Sequence, residues 1–330
     1  MTESAASYLQ IYLGPIQSML ERPDVTDVYI NQPGEVWIET LGGQTERHEA
    51  AEVTDALLWR LARQVANITH QGISREHPLL SARLPDGARV QIVAPPATRG
   101  PMAISIRRHL SADLKLHDYA AQGAFATTRS GEAADPVDVE LSTLYATQKW
   151  GAFLGAAVKA RKTILVSGGT STGKTTFLNA LLCEIEPTER LILIEDTPEL
   201  LLRHKNAVGL VAVRGQLGEA SVSVDDLLVA SLRMRPDRII LGELRGAEAF
   251  TFLRAINTGH PGSTTTIHAD TPDRAVEQLA LMVLQSGIQI PREEVRSYIR
   301  TMIDVVVQLE RRAGTRRVSE LWWRGNAKLG

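Results

Sequence analysis

The chain has 330 residues, 44% of them hydrophobic, and its 36 basic and 38 acidic side chains leave a formal net charge of −2. That length suits two domains with substantial cores, and the charge balance gives no global attraction to nucleic acid or anionic lipid. The single cysteine, Cys183, excludes an internal disulfide and suits a reducing compartment; its setting in "ALLCEIE" predicts a buried position on a helix face. The stretch "SYLQIYLGPIQSML" places Leu9, Leu13, Ile16 and Leu20 on one helical face, with no Lys or Arg opposite, so it is expected to pack on its own domain rather than on a membrane. The first basic residue is Arg22, which leaves no charged start for a secretory signal, and no apolar run reaches the length of a membrane span. "DVYIN" and "EVWIE" alternate as a hairpin about "QPGE". Thr54 caps a helix carrying Leu57, Leu58, Leu61 and Val65 on one face. "SARLPDGARVQIVAP" predicts a second hairpin turning at Asp86-Gly87, and "MAISIRR" a further strand. These elements make a small α+β domain over residues 1–110.

Residues 111–140 lose periodicity and read as an interdomain connection. One helix, "LYATQKWGAFLGAAVKA", is expected next, opening a second domain over 141–330. There strands at 163–167, 191–195, 238–241 and 264–268 alternate with helices, the pattern of a mostly parallel α/β sheet. Thr271 as cap with Pro272 at the first helical position starts one helix, which ends at Gly287. "PREEVRSYIRTMI" is expected to repeat that opening. "DVVVQLERRAGTRRVSELWW" reads as a closing hairpin.

Chemistry concentrates at "TILVSGGTSTGKTTFLNALL", where Gly168, Gly169, Thr170, Ser171, Thr172, Gly173, Lys174 and Thr175 fit the phosphate-binding loop G-x-x-x-x-G-K-[ST] between a strand and a helix that runs on through Thr176. The glycines let successive N–H groups turn inward toward phosphate oxygens, and the helix starts beneath the anion. Lys174 would reach the β- and γ-phosphates, and the Thr175 hydroxyl would ligate Mg²⁺. "LILIEDTPEL" ends an apolar strand in Glu195 and Asp196, placed to orient water or to cap the next helix. "RPDRIILGELRGAEA" has the form of a Walker B strand with Glu243 as its acid, but Gly242 stands where an aspartate commonly holds the metal. Glu243 therefore takes either the metal or the water-activating role. In "GHPGSTTTIHAD", His260 and His268 match no zinc spacing, and His268 is placed to hydrogen-bond the γ-phosphate.

In order and spacing, "GGTSTGKTT", "IEDTPEL", "LRMRPDRIILGELRGAEA" and "TGHPGSTTTIHA" resemble the Walker A, Asp, Walker B and His boxes of the secretion ATPase superfamily, the motors of type II secretion, type IV pili and type IV secretion. "RPDVTDVYINQPGEVWIE", "HPLLSARLPDGARVQIVAPP" and "ISIRRHL" resemble the amino-terminal domain of its type IV secretion branch. The likeness covers most of the chain and is weakest over 111–140. It implies a RecA-like ATPase domain, ATP and Mg²⁺ as ligands, and a homohexameric ring. It also implies a cytoplasmic location, peripheral at the inner-membrane face and held there by the inner-membrane subunits of an envelope-spanning channel. Position by position, it gives Lys174 and Thr175 phosphate and metal contacts. Water activation and metal positioning are shared between Glu195 and Glu243, and His268 senses the γ-phosphate. Arg107 matches an arginine that reaches the nucleotide, Arg89 is a second, and Arg233 and Arg235 are either charge-neutralising fingers or interface ion pairs.

Two other classes compete with a mechanochemical ATPase. A ring helicase would want a basic channel, for which the sequence gives no strong sign beyond Arg311-Arg312 and Arg316-Arg317. A small-molecule kinase would need an acceptor pocket and a lid. The absence of N-K-x-D argues against a GTPase, and of L-S-G-G-Q against an ABC-type ATPase.

Overall fold

The computed structural model describes residues 3–108, 115–121, 123–128, 135–213 and 219–326. The amino-terminal part opens with α1 (Glu3–Leu20), followed by β1 (Val25–Ile30), β2 (Gly34–Thr40) and β3 (Thr45–Ala50). Next come α2 (Asp55–Ile68), β4 (Leu79–Arg83), β5 (Arg89–Val93) and β6 (Ala103–Arg107). Its six strands form one antiparallel sheet in the order β3-β2-β1-β6-β5-β4. Leu9, Leu13 and Ile16 of α1 and Leu58, Leu61 and Val65 of α2 bury against it, because an apolar stripe three and four residues apart faces one way. The Thr54 side chain accepts from the Leu57 N–H and caps α2. Gly87, at φ +92°, makes the β4–β5 turn.

Of the stretch read as a connection, 111–114, 122 and 129–134 lie outside the described residues. The rest is more ordered than its composition suggests. It holds a short helix, α3 (Leu116–Ala121), and the start of α4 (Pro136–Ala146), which Asp135 caps through the Val137 N–H. The single helix expected next is two, α4 and α5 (Trp150–Lys159), separated where Gln148 takes φ +54°. The break lets Tyr145 turn inward, edge-on to Trp150 and Phe153, with its hydroxyl donating to the Leu321 carbonyl.

The second part continues with β7 (Ile164–Gly168), α6 (Lys174–Leu182), β8 (Leu191–Glu195), β9 (Ala207–Val211), α7 (Val224–Ser231), β10 (Arg238–Leu241) and α8 (Glu248–Asn257). It ends with β11 (Thr264–Ile267), α9 (Pro272–Gln285), α10 (Arg292–Met302), β12 (Val305–Arg312), β13 (Thr315–Trp323) and a short 3₁₀ turn. Seven strands order as β13-β12-β7-β11-β10-β8-β9, all parallel except the edge strand β13. The molecule is a two-domain α/β protein with a mostly parallel second sheet. Strands β3 and β9 were not anticipated, while α7 and α8 fill the helical places expected between strands. Pro291 stands at the N-cap of α10 without a side-chain cap, so the α9 opening is not repeated. Cys183 is exposed at the end of α6, its thiol donating to the Asn179 carbonyl and receiving Arg203, so the expectation of burial fails.

The two sheets are stitched together before the connection is reached. Residues 97–99 pair with the outer edge of β9 through Val211 N–H to Ala97 O at 2.9 Å and Arg99 N–H to Gly209 O at 2.9 Å. Arg190 is buried, stacks at 4.0 Å on the Tyr29 ring and donates to Asn31 at 2.8 Å. Burial pushes its guanidinium down to about 10.

Candidate active site

The loop between β7 and α6 is built for an anion. A Cβ on Gly168 would stand 2.5 Å from Thr172 Oγ1 and 3.0 Å from the Leu309 carbonyl, so no other residue fits there. Gly173 takes φ +92° as the N-cap of α6, and Ser171 φ +62°, which turns the intervening amides inward. Lys174 begins the helix and is buried. Its Nζ donates to the Gly168 and Gly169 carbonyls at 2.9 and 3.2 Å and stands 3.2 Å from His268 Nδ1. Burial pushes the ammonium pKa down, opposed by Glu243. The surrounding cleft has a volume of about 400 Å³ and lies at the carboxyl ends of the parallel strands.

The two acids come from strands that pair with each other, yet they are held in opposite ways. Glu195 is 3% exposed, and its Oε1 accepts from the Glu199 and Leu200 N–H groups at 2.8 Å. Its Oε2 is ion-paired to the Arg99 guanidinium. Arg99 comes from the amino-terminal part, is 15% exposed, and also donates to the Leu200 carbonyl at 2.6 Å. Its stem crosses Gly209, where a Cβ would stand 2.5 Å from the arginine Cδ. Burial pushes this guanidinium down as well. Both Glu195 oxygens thus face partners in this structure, although the residue lines the cleft. The same side chain explains Gly242, since a Cβ there would meet Glu195 Cγ at 3.0 Å.

Glu243 is 17% exposed and faces the cleft. Its Oε2 accepts from Arg245 at 2.7 and 2.9 Å, and its Oε1 lies 2.6 Å from His268 Nε2. A neutral His268 with its proton on Nε2 satisfies both neighbours, donating to Glu243 and accepting from Lys174. Arg245 also reaches Asp196 Oδ2 at 3.2 Å. A relay of alternating donors and acceptors therefore runs from Lys174 through His268 and Glu243 to Arg245. Thr175 lines the same cleft, so hydroxyl and carboxylate oxygens converge there, the hard donor set that suits Mg²⁺.

The loop residues from Thr170 to Thr176 line this cleft with Glu195, Glu243 and His268. Arg107 and Arg89 do not. They face each other across β5 and β6, both exposed, and Arg107 lines a separate cleft with Arg235 and His260. Arg235 pairs with Glu39 at 2.7 Å and Arg233 donates to Ser81 at 2.9 Å, so both join the two parts of the same chain. Three arginines at or behind the cleft escaped the sequence reading, among them Arg245, which lines it beside Glu243. Arg99 sits in "APPATRGPM", which carries no motif. Arg316 was noticed only as part of a basic patch.

Residues 10–317 match the family model described as "Type II/IV secretion system protein". The chain belongs to that family. It is 38% identical to the type IV secretion system protein VirB11 of Bartonella quintana, over 94% of this chain and 91% of that protein. It is also 38% identical to the type IV secretion system protein PtlH of Bordetella pertussis, over 96% and 95%. The crystal structure of the VirB11 ATPase from the Brucella suis type IV secretion system, in complex with sulphate, superposes with a TM-score of 0.91 at 38% identity. That match covers 98% of this chain and 96% of the other.

Proposed function

We propose that this protein is an ATPase that energises type IV secretion, driving channel assembly and substrate transfer across the cell envelope. The observation that carries the reading is the convergence of Lys174, His268 and Glu243 over a complete phosphate loop. The loop amides and Lys174 would hold the β- and γ-phosphates, and Thr175 and Glu243 would hold Mg²⁺, which supplies charge neutralisation to the phosphoryl oxygens. Glu243 is the carboxylate facing the cleft and is the group proposed to take the proton of the attacking water. His268, touching both Lys174 and Glu243, would register loss of the γ-phosphate by changing partners.

The resemblance and the ATPase relatives support a homohexamer peripheral to the cytoplasmic face of the inner membrane, attached through the inner-membrane subunits of its channel. Arg89 and Arg107 lie away from the cleft of their own chain, so in such a ring they would act on nucleotide held by a neighbour. Residues 1–110 and 141–330 are proposed as the moving units and 111–140 as their connection. Residues 97–99 are already committed to the second sheet and mark where motion must be absorbed.

Steady-state ATP hydrolysis measured against protein concentration, with and without single-stranded DNA and with Lys174→Ala as blank, tests the reading. Specific activity that climbs with concentration and ignores DNA is expected. Strong DNA stimulation would replace the secretion reading with a helicase.

A further inference from the structure

Strand β12 runs beside β7, with Leu309 opposite Gly168, and continues past it for Glu310, Arg311 and Arg312 before β13 returns. The hairpin therefore overhangs the phosphate loop. From it Arg316 enters the cleft and lies against the loop itself. Its Cδ is 3.1 Å, its Nε 3.7 Å and its Nη1 3.9 Å from where a Cβ on Gly173 would stand. Any side chain at that position would collide with the arginine as well as strain the backbone.

The neighbouring charges are largely committed to one another. Glu195 is paired with Arg99, Glu243 with Arg245, and Arg317 on the same hairpin with Glu310. Arg316 has no carboxylate within ion-pair distance among the described residues, so its guanidinium is left to meet an anion in the cleft. Strand order sets it apart from the residues assigned to the γ-phosphate. His268 and Glu243 follow β11 and β10, on one side of β7, and the hairpin stands on the other.

We propose that Arg316 is a nucleotide-binding residue. It contacts the α- and β-phosphate end that ADP and ATP share, away from the γ-phosphate handled by Lys174, His268 and Glu243. This assignment rests on the nucleotide reading of the cleft. A charge-assisted contact made equally before and during reaction strengthens ground-state binding without lowering the chemical barrier.

The test is a fluorescence titration of the full chain with N-methylanthraniloyl ADP and with a non-hydrolysable ATP analogue, together with steady-state kinetics. Arg316→Ala is expected to weaken both nucleotides by the same factor, about tenfold to a hundredfold. KM should rise by that factor while kcat at saturation holds, and Arg316→Lys should recover part of the loss. Arg317→Ala, whose partner is Glu310, should change either affinity by less than about twofold. Wild-type affinity for ADP in Arg316→Ala would overturn the proposal, as would weakening confined to the ATP analogue. Loss of single-stranded DNA binding with ADP binding unchanged would overturn it in favour of a nucleic-acid role. Failure of the wild-type chain itself to bind ADP would instead sink the nucleotide reading beneath it. Arg316 is exposed, and thermal melts of each variant separate a binding loss from a folding loss.

Discussion

Glu195 and Glu243 close two paired strands at the same end of the same sheet, and each follows an apolar run. One is held between two backbone amides and a largely covered arginine from the amino-terminal part. The other is exposed to the cleft and shares its oxygens with an arginine and a histidine that solvent reaches. An acid at a strand end is therefore not yet a catalytic acid; its partners decide whether it can exchange a proton. The comparison also separates two tasks. Glu195 ties the amino-terminal part to the second sheet through Arg99, while Glu243 faces the cleft where the phosphates are proposed to lie.

The comparison can be broken at its reference point first. Lys174→Ala should reduce ATP hydrolysis about 10³-fold or more, because it removes the ammonium held over the loop beside His268; a radiometric phosphate-release assay measures it. Glu243→Gln keeps the shape and removes the proposed base, and a loss of about 10²–10⁴ in kcat is expected. Glu195→Gln, by contrast, should retain hydrolysis within about tenfold, since it removes a structural charge and not a proton acceptor. Equal losses in the two variants would erase the distinction.

Arg99→Ala sharpens the structural side. It strands a buried carboxylate and should cost about 3–5 kcal/mol in chemical denaturation. Arg99→Met combined with Glu195→Leu should recover most of that stability, since both charges then disappear together. The smallest effect concerns pH. The ammonium of Lys174 is held below its ordinary pKa by burial and is needed charged against phosphate. Nucleotide affinity should therefore fall as alkaline pH passes through that lowered pKa, earlier than the ~10.4 of a free lysine would give. Binding on that limb should take up protons, which calorimetry in buffers of different ionisation enthalpy would show.

Most of the strands, the phosphate loop and the Walker B-like acid were legible because each is written in consecutive residues: apolar runs, glycines at fixed spacing, an acid at the end. What escaped depends on two segments meeting. Nothing local marks Arg99 as the partner of Glu195, and nothing local says that Gly242 is small because Glu195 fills the space beside it. Gln148 has no turn signature, so the break between α4 and α5 was hidden in a helical pattern; it becomes intelligible only when Tyr145, Phe153 and Trp323 are seen packed together. Cys183 was misjudged for the related reason that a helix of nine residues ending in solvent looks, in sequence, like one that continues inward. The arginines Arg89 and Arg107 were found by resemblance, yet neither lines the phosphate-loop cleft of its own chain, and Arg107 lines a different one.

That exposed thiol has a practical consequence. It is the chain's only cysteine and sits at the far end of the helix whose first turn cradles phosphate, about 13 Å along the axis. A maleimide dye would attach there at one defined point without any engineered residue. Each protomer would then carry a native optical reporter at the end of its phosphate-loop helix, close enough for quenching or energy transfer to follow nucleotide arrival and departure in real time.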